Sequence, residues 1–521
     1  MSVYNNYVSL VGHDYDKISQ IAERYDISND QNEWAHEDPK EIIEMALEKL
    51  LMDADQKGAK VLINCGKERK EDTISVFAGF DASRQTLNGI VGVLSGTETI
   101  ESISENEEKD GEPNKTDKDV FVIRIELRIK SRMDNNDNYY FVYSLLNMNH
   151  NRSHDRNVFS SEDDMFDYLL IDMFADGIRR VIPKGHYRRY QRFEKNNDRL
   201  KGTINIANHI KYNMGIDNGC VYYSYRENTV CNYFNALLLC AYEHLKDKHP
   251  GIMEDKMDSD VGIKDFLSVL KYQLADMHAD ASTLLIKNQS PIVHPFYADY
   301  EELRKLCFLI LRDTGVSLFD ETERTEVRGF LYYLPDLWEQ FLERVIREDL
   351  EKDVYLNPNE EQVVKRYYGG ESRPDYSFST DPQSDNTFLI LDAKFIPGWK
   401  NSIGHGAFSV EKDNIDKCIR DMVVANALAT GVIFPIASDE WENDEEIYNI
   451  GYIKRDISIY NSRQEFYTFP VIIPIAEDEE SYSEWEKRFN SKSLFAFKSV
   501  LNNEINCIRD KYLCIDTDKC I

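Results

Sequence analysis

Residues Leu389, Ile390 and Leu391 are of the type that fills a core, and they run without a break into Asp392-Ala393-Lys394. In a strand Asp392 and Lys394 point to one face and Ala393 to the other, so the core strand ends in a pair of charges on a single side. A charged cluster closing a core strand is more often a site than decoration. Upstream stands Arg373-Pro374-Asp375-Tyr376, and the intervening Thr380-Asp381-Pro382-Gln383-Ser384-Asp385-Asn386 is a turn by composition. A symmetric hairpin centred between Gln383 and Ser384 puts Asp375 opposite Asp392 on the same face. Two carboxylates at that separation repel unless a divalent cation lies between them.

Hard oxygen donors with open positions suit Mg²⁺, which keeps several waters and accepts phosphate oxygens. Lys394 beside them is placed to orient or deprotonate an attacking water and to stabilise developing charge. The plainer alternative is a surface hairpin with an Asp-Lys pair, worth little energetically. It explains the composition but not the apolar run that leads into the charges.

The rest of the chain organises around this point as a mixed α/β, multi-domain protein. The length, 521 residues, predicts about three domains. Residues 1–165 form a β-rich N-terminal section, with strands expected at Val61–Cys65, Thr73–Phe77, Gly89–Leu94, Val120–Lys130 and Tyr139–Leu146 and a helix at Pro39–Asp55. Residues 166–325 are mostly helical, with apolar residues three and four apart in Met165–Arg180, Asn232–His249, Ile263–Met277 and Asp299–Thr314, and an extended piece at Cys220–Tyr225. Residues 326–521 read helix (Leu337–Leu350), strands (Val363–Tyr368, Tyr376–Thr380, Thr387–Phe395), helix (about Glu411–Thr430, with Gly431 as its C-cap), strand (Val432–Ala437), further strands and a terminal helix.

The charge is uneven. Acidic residues number 93 against 62 basic ones, a net −31, which argues against nucleic acid if taken as an average. Residues 101–119 are strongly acidic and read as a solvated loop, whereas Arg179–Lys201 is strongly basic with Tyr187, Tyr190 and Phe193 interleaved. Arg188, Arg189 and Arg192 could hold phosphates with the aromatics stacking on bases; a solvated helix face, or a contact for the acidic stretches, is an equal alternative. The opening MSVYNNYVSL lacks a secretory signal's features, and the longest apolar run, Ala236–Tyr242, is far too short to cross a membrane. The nine cysteines have neither disulfide-framework nor zinc spacing. A cytoplasmic protein is expected.

The order helix, hairpin, helix, strand around Asp375 and Asp392-x-Lys394 resembles the PD-(D/E)xK nuclease fold. The resemblance implies cleavage of phosphodiesters with Asp375, Asp392 and Lys394 around Mg²⁺, and an acidic residue on the preceding helix, for which Glu339 is the candidate. Asp336-x-x-Glu339 after Pro335 also reads as a capping box, and Glu343 is spaced to pair with Arg347. Upstream, Leu200-Lys201-Gly202-x-Ile204, then Glu227-x-Thr229 and Asn235, then Tyr333-Leu334-Pro335-Asp336-Leu337-Trp338-Glu339, and Gly431–Pro435 after the second helix, resemble the McrC family of modified-cytosine restriction systems.

That resemblance implies a DNA endonuclease subunit in anti-phage defence, assembled with an McrB-like AAA+ GTPase that engages the N-terminal section. The family's usual Gln on the helix after DxK is replaced by Asp421. The chain carries no Gly-x-x-x-x-Gly-Lys-Ser/Thr loop of its own. Two alternatives stay open: a non-cleaving adaptor that activates an AAA+ partner, and a stand-alone nuclease.

Overall fold

The computed structural model describes residues 2–25, 34, 38–55, 60–64, 74–79, 81–104, 117–134, 139–147, 162–214, 219–275, 277, 279–312, 328–351, 354–358, 364–365, 371–372, 374–381, 387–395, 397, 409–440, 453–459, 462–478 and 480–518. The chain is mixed α/β and divides into two compact units: Met1–Met165 together with Thr325–Ile521, and Phe166–Arg324.

The first unit contains two large sheets. The N-terminal sheet is built from β1 (Ser2–His13), β2 (Lys60–Asn64), β3 (Ile90–Ser104), β4 (Asp117–Lys130) and β8 (Arg328–Tyr333), in the order β1-β4-β3-β8-β2. The helix Pro39–Ala54 starts on the side chain of Asp38, which accepts from the Lys40 N–H, with Pro39 in its first turn. It buries Ile42, Ile43, Ala46, Leu47, Leu50 and Leu51 in one core with Leu94, Ile123, Ile125 and Leu127 of the sheet. β3 and β4 form a long antiparallel hairpin reaching Ser104 and Asp117, so both ends of the acidic segment 101–119 are strand; residues 105–116 lie outside the described residues.

The sequence places 328–333 with the C-terminal section, yet this strand lies inside the N-terminal sheet, between β3 and β2. Gly329 makes the fit possible: a Cβ there would sit 2.1 Å from the Val93 carbonyl oxygen, and its φ of +159° disfavours other residues.

The second sheet, in the order β15-β16-β14-β13-β12-β9, comprises β9 (Tyr355–Pro358), β12 (Tyr376–Ser379), β13 (Thr387–Ala393), β14 (Ala429–Ala437), β15 (Ile453–Ile459) and β16 (Ser462–Ile473). β13, β14 and β16 run parallel, and their near-continuous apolar sequences fit strands covered on both faces. The helix Ser409–Ala425 connects β13 to β14 and packs Cys418 and Met422 against Ile390, Val432 and Phe434. A short ladder, β10 (Val364–Lys365) with β11 (Glu371–Ser372), stands apart. Helices Tyr482–Arg488 and Phe495–Asp518 close the chain.

The second unit is helical, with Glu162–Val181, Tyr233–Lys248, Val261–Gln273 and Ala298–Arg312 where the sequence expects helices. A small antiparallel sheet is added, β5 (Arg189–Asn197), β6 (Thr203–Ile204) and β7 (Val221–Thr229), in the order β5-β7-β6.

Three local expectations are corrected. Tyr139–Leu146 is a helix (Tyr140–Asn147), not a strand. Its aromatic content suggests β, but Phe141, Val142, Leu145 and Leu146 are buried at helical spacing, and the Asp134 carboxylate accepts from the Phe141 and Val142 N–H groups. Of the strand expected at Thr73–Phe77, the described residues 74–77 form none, and Phe77 makes an isolated bridge to Leu87. Gly431 does not cap a helix; the helix ends at Ala425, Asn426 takes the left-handed conformation (φ 55°), and Gly431 lies within β14. A Cβ on Gly431 would come within 2.5 Å of the Tyr467 carbonyl oxygen. Among the described residues no helix is long and apolar enough to cross a membrane.

Candidate functional site

β12 and β13 pair antiparallel with Tyr376 opposite Leu391, Ser377 opposite Ile390 and Phe378 opposite Leu389. One further step along that register brings Asp375 beside Asp392, as the hairpin reading expects. The Asp375 carboxylate accepts from the Ala393 N–H at 2.7 Å, and its side chain also hydrogen-bonds that of Asp392. β13 ends here, where the Lys394 N–H donates to the Ile433 carbonyl of β14 at 2.8 Å. The apolar strand and its parallel neighbour therefore fix the backbone from which Asp392 and Lys394 project.

Asp392 is 2% exposed, and its charge is met by two ammonium groups. Lys394 pairs with Oδ2, and Lys417 lies 3.1 Å from Oδ1 and 3.2 Å from Oδ2. Burial alone would raise the Asp392 carboxyl; Lys394 and Lys417 overcome it and hold the group well below the usual carboxylate range. Asp375 behaves oppositely. Burial, then the negative charges of Asp392 and Glu339, push its carboxyl well above the ordinary value, against the pull of the two lysines. Both lysines stay protonated: burial lowers them, but the Asp392 carboxylate more than offsets it.

Glu339 comes from the helix Leu334–Glu348. Its N-cap is Tyr333, which carries no side-chain cap, so Asp336 is inside the first turn and Glu339 in the second; the capping box does not form. Glu339 is 6% exposed, and its charge is felt by Asp375. The Tyr376 hydroxyl donates to the Glu339 carbonyl oxygen at 2.6 Å, tying the helix to β12. Glu343 instead pairs with Arg347 at 3.0 Å. Behind the site Trp338, Phe141 and Phe395 form an aromatic cluster. Arg132 lies 4.7 Å from the centre of the Phe395 ring and donates to the Phe395 carbonyl at 2.6 Å, while pairing with the fully buried Asp14. The N-terminal sheet thus buttresses the residue next to Lys394.

The structure brings Asp375, Asp392 and Lys394 together, leaves Glu339 near enough for its charge to act on Asp375, and adds Lys417, which the sequence reading missed. The available signal was spacing: Lys417 and Asp421 are one turn apart on the helix that returns to the sheet, and Asp421 is 2% exposed.

The basic stretch divides in two. Arg179 pairs with Asp176 at 2.5 Å and Asp260 at 2.9 Å, Arg180 with Glu302 at 2.8 Å and Lys184 with Asp299 at 2.5 Å, so its first part braces the helical unit. The rest is strand, not helix. Arg188, Arg189 and Arg192 are exposed, but strand alternation sends Arg189 and Arg192 to opposite faces of β5. Arg192 stands directly opposite Arg226 of β7, with Glu194 3.2 Å from one of its guanidinium nitrogens, and Tyr190, on the same face, is 71% exposed.

The end of β13 thus carries a buried charged cluster, Asp392 with Asp375 and Lys394, flanked by Lys417 and Glu339 from two different helices. The family model for the McrBC 5-methylcytosine restriction system component matches residues 115–406, more than half of the chain, and spans Glu339, Asp375, Asp392 and Lys394. The chain belongs to this family, in line with the McrC resemblance carried by its motifs. Two solved structures are similar at low identity. One is a chain of the refined half-complex from the tetradecameric assembly of Thermococcus gammatolerans McrB AAA+ hexamers with bound McrC, 14% identical, covering 96% of this chain and 100% of that one, TM-score 0.44. The other is from the Thermococcus gammatolerans McrBC complex, 14% identical, covering 66% of this chain and 88% of that one, TM-score 0.26. No curated protein matches.

Proposed function

We propose that this chain is the Mg²⁺-dependent DNA endonuclease subunit of an McrBC-like restriction system, with a nuclease domain of PD-(D/E)xK type that acts when assembled with an McrB-like AAA+ GTPase. The observation that carries the reading is the convergence of Asp375, Asp392 and Lys394 at the end of β13, with Glu339 of the preceding helix near enough for its charge to act on Asp375. Family membership supports the restriction role and a partner from the same system.

The donor set fits Mg²⁺. Asp375 and Asp392 supply hard oxygens, and the repulsion that drives Asp375 upward is what a divalent cation relieves. Among the described residues no group of three or more His, Cys, Asp or Glu side chains is gathered to hold an ion, so Asp375 and Asp392 are the pair that would hold the metal, with water and phosphate oxygens completing its shell, and Glu339 is not grouped with them as a third ligand. When bound, Mg²⁺ would polarise the phosphodiester and acidify a water. Lys394, beside the Asp392 carboxylate, is placed to orient or deprotonate the attacking water and to stabilise developing charge on the phosphate. Exposed Arg192, with Arg226 opposite it, gathers like charge that a DNA phosphate neutralises, while Arg189 offers its charge on the other face of β5 and Arg188 stands just before the strand.

The test is reconstitution. The chain purified with the AAA+ GTPase of its own system, GTP and Mg²⁺ is expected to cut DNA carrying 5-methylcytosine, and either component alone is expected to cut poorly. Efficient cutting by this chain alone, without nucleotide, would support the stand-alone nuclease; absence of cutting by the full mixture on any DNA would support the adaptor.

A further inference from the structure

Asp392 holds two lysines where one suffices to neutralise it. Lys394 is anchored: its backbone is locked to β14 through the Ile433 carbonyl, and its side chain is 13% exposed. Lys417 is differently built. It projects from the helix Ser409–Ala425, its side chain is 30% exposed, and its Nζ straddles both oxygens of Asp392 at 3.1 and 3.2 Å. The charges acting on Lys417 come from Asp392 and Asp375, which attract it, and from Lys394, which repels it. A long ammonium side chain on a helix, bridging both oxygens of one carboxylate, occupies those lone pairs with a monovalent cation.

We propose that Lys417 is a positioning residue that serves as the internal counter-ion of Asp392, competing with the divalent cation for this carboxylate and so weakening metal binding by the chain on its own. The inference rests on the metal-dependent nuclease reading. It follows from charge: a cation ligated by Asp392 stands within a few ångströms of both ammonium groups, and Lys417, more exposed and held by its side chain alone, is the one able to withdraw into solvent. Its withdrawal costs the Lys417–Asp392 pair, and that cost is subtracted from metal affinity. Lys417 therefore sets a threshold: without metal the carboxylate is held by two ammonium groups, and it is released to ligate only when metal binding outweighs the Lys417 pair.

The experiment is calorimetric titration of Mn²⁺ into the full-length chain, without DNA or partner, for wild type, Lys417→Met, Lys417→Gln, Lys417→Arg and Asp392→Asn. Lys417→Met and Lys417→Gln are expected to bind Mn²⁺ about tenfold more tightly than wild type. Lys417→Arg, which keeps the competing charge, is expected to stay near the wild-type affinity, and Asp392→Asn to lose the binding. Unchanged or weaker Mn²⁺ binding by both neutral variants overturns the inference and leaves the nuclease reading standing. Absence of Mn²⁺ binding by wild type and both neutral variants overturns both. The two neutral variants differ in polarity, so a folding defect peculiar to one does not remove the test.

Discussion

Arg132 offers the sharpest test of how the N-terminal sheet supports the site. Its guanidinium pairs with Asp14, whose side chain is 0% exposed, donates to the Phe395 carbonyl at 2.6 Å, and lies 4.7 Å from the Phe395 ring centre. Replacing it in Arg132→Leu keeps much of the apolar stem but strands a buried carboxylate. Breaking one partner of a buried pair costs about 3–5 kcal/mol, because the remaining charge has no compensation. The lost bond to Phe395 belongs to the same change and is not added separately.

The sign with pH follows from Asp14. Burial, opposed chiefly by Arg132, already raises its carboxyl, and removing Arg132 raises it further. A carboxyl raised in the folded state favours folding where it is protonated, and that contribution is lost as pH rises through the folded value. The deficit of Arg132→Leu should therefore be smaller at pH 5 than at pH 8. Asp14→Asn combined with Arg132→Leu should recover part of it at pH 8, since the stranded charge is then gone. Guanidinium unfolding followed by far-UV circular dichroism at the two pH values reads all three quantities. Arg132→Leu within about 0.5 kcal/mol of wild type at pH 8 would refute the buried-pair argument.

Other consequences are more local. Burial pushes Asp134 up to about 7 despite the Phe141 and Val142 N–H donors, so its ionisation destabilises the fold as pH rises from the ordinary carboxyl value through that point; Asp134→Asn is expected to gain about 1–2 kcal/mol at pH 8, allowing for a lost acceptor, and little at pH 5, by the same unfolding assay. Gly431→Ala drives a methyl to within 2.5 Å of the Tyr467 carbonyl and is expected to cost about 3 kcal/mol or more, read as a lowered thermal midpoint. Replacing Arg188, Arg189 and Arg192 by serine should weaken DNA binding on all sequences and flatten the slope of log affinity against log salt by about one to two, because only one face of β5 meets the duplex; an unchanged slope returns this strand to a structural role.

What could be read from the residues was whatever depended on short-range geometry. The Asp375–Asp392 hairpin was legible because strand pairing fixes register once a turn is centred, and β12 and β13 keep that register from Tyr376–Leu391 to Phe378–Leu389. Lys417 was hidden because it lies on another element, and only the return of its helix to the sheet brings it to Asp392. The same limit applies to β8: its six residues lie far along the chain from β2 and β3, and no local pattern announces that Arg328–Tyr333 belongs between them. Tyr139–Leu146 misled because β-type side chains there are overruled by the Asp134 carboxylate, which starts a helix, and by a core on one side. Arg188, Arg189 and Arg192 were visible as charge but not as faces, since a strand splits neighbours that a helix would have grouped differently.

The site's central claim is that Asp392 is indispensable to chemistry, and one substitution tests it without removing volume. Asp392→Asn, assembled with the AAA+ partner and GTP on methylated DNA, should show no Mg²⁺-dependent cleavage while keeping partner binding and a far-UV spectrum like that of wild type. Wild-type cleavage by Asp392→Asn at the same Mg²⁺ concentration would contradict the assignment of this carboxylate, and with it the nuclease reading.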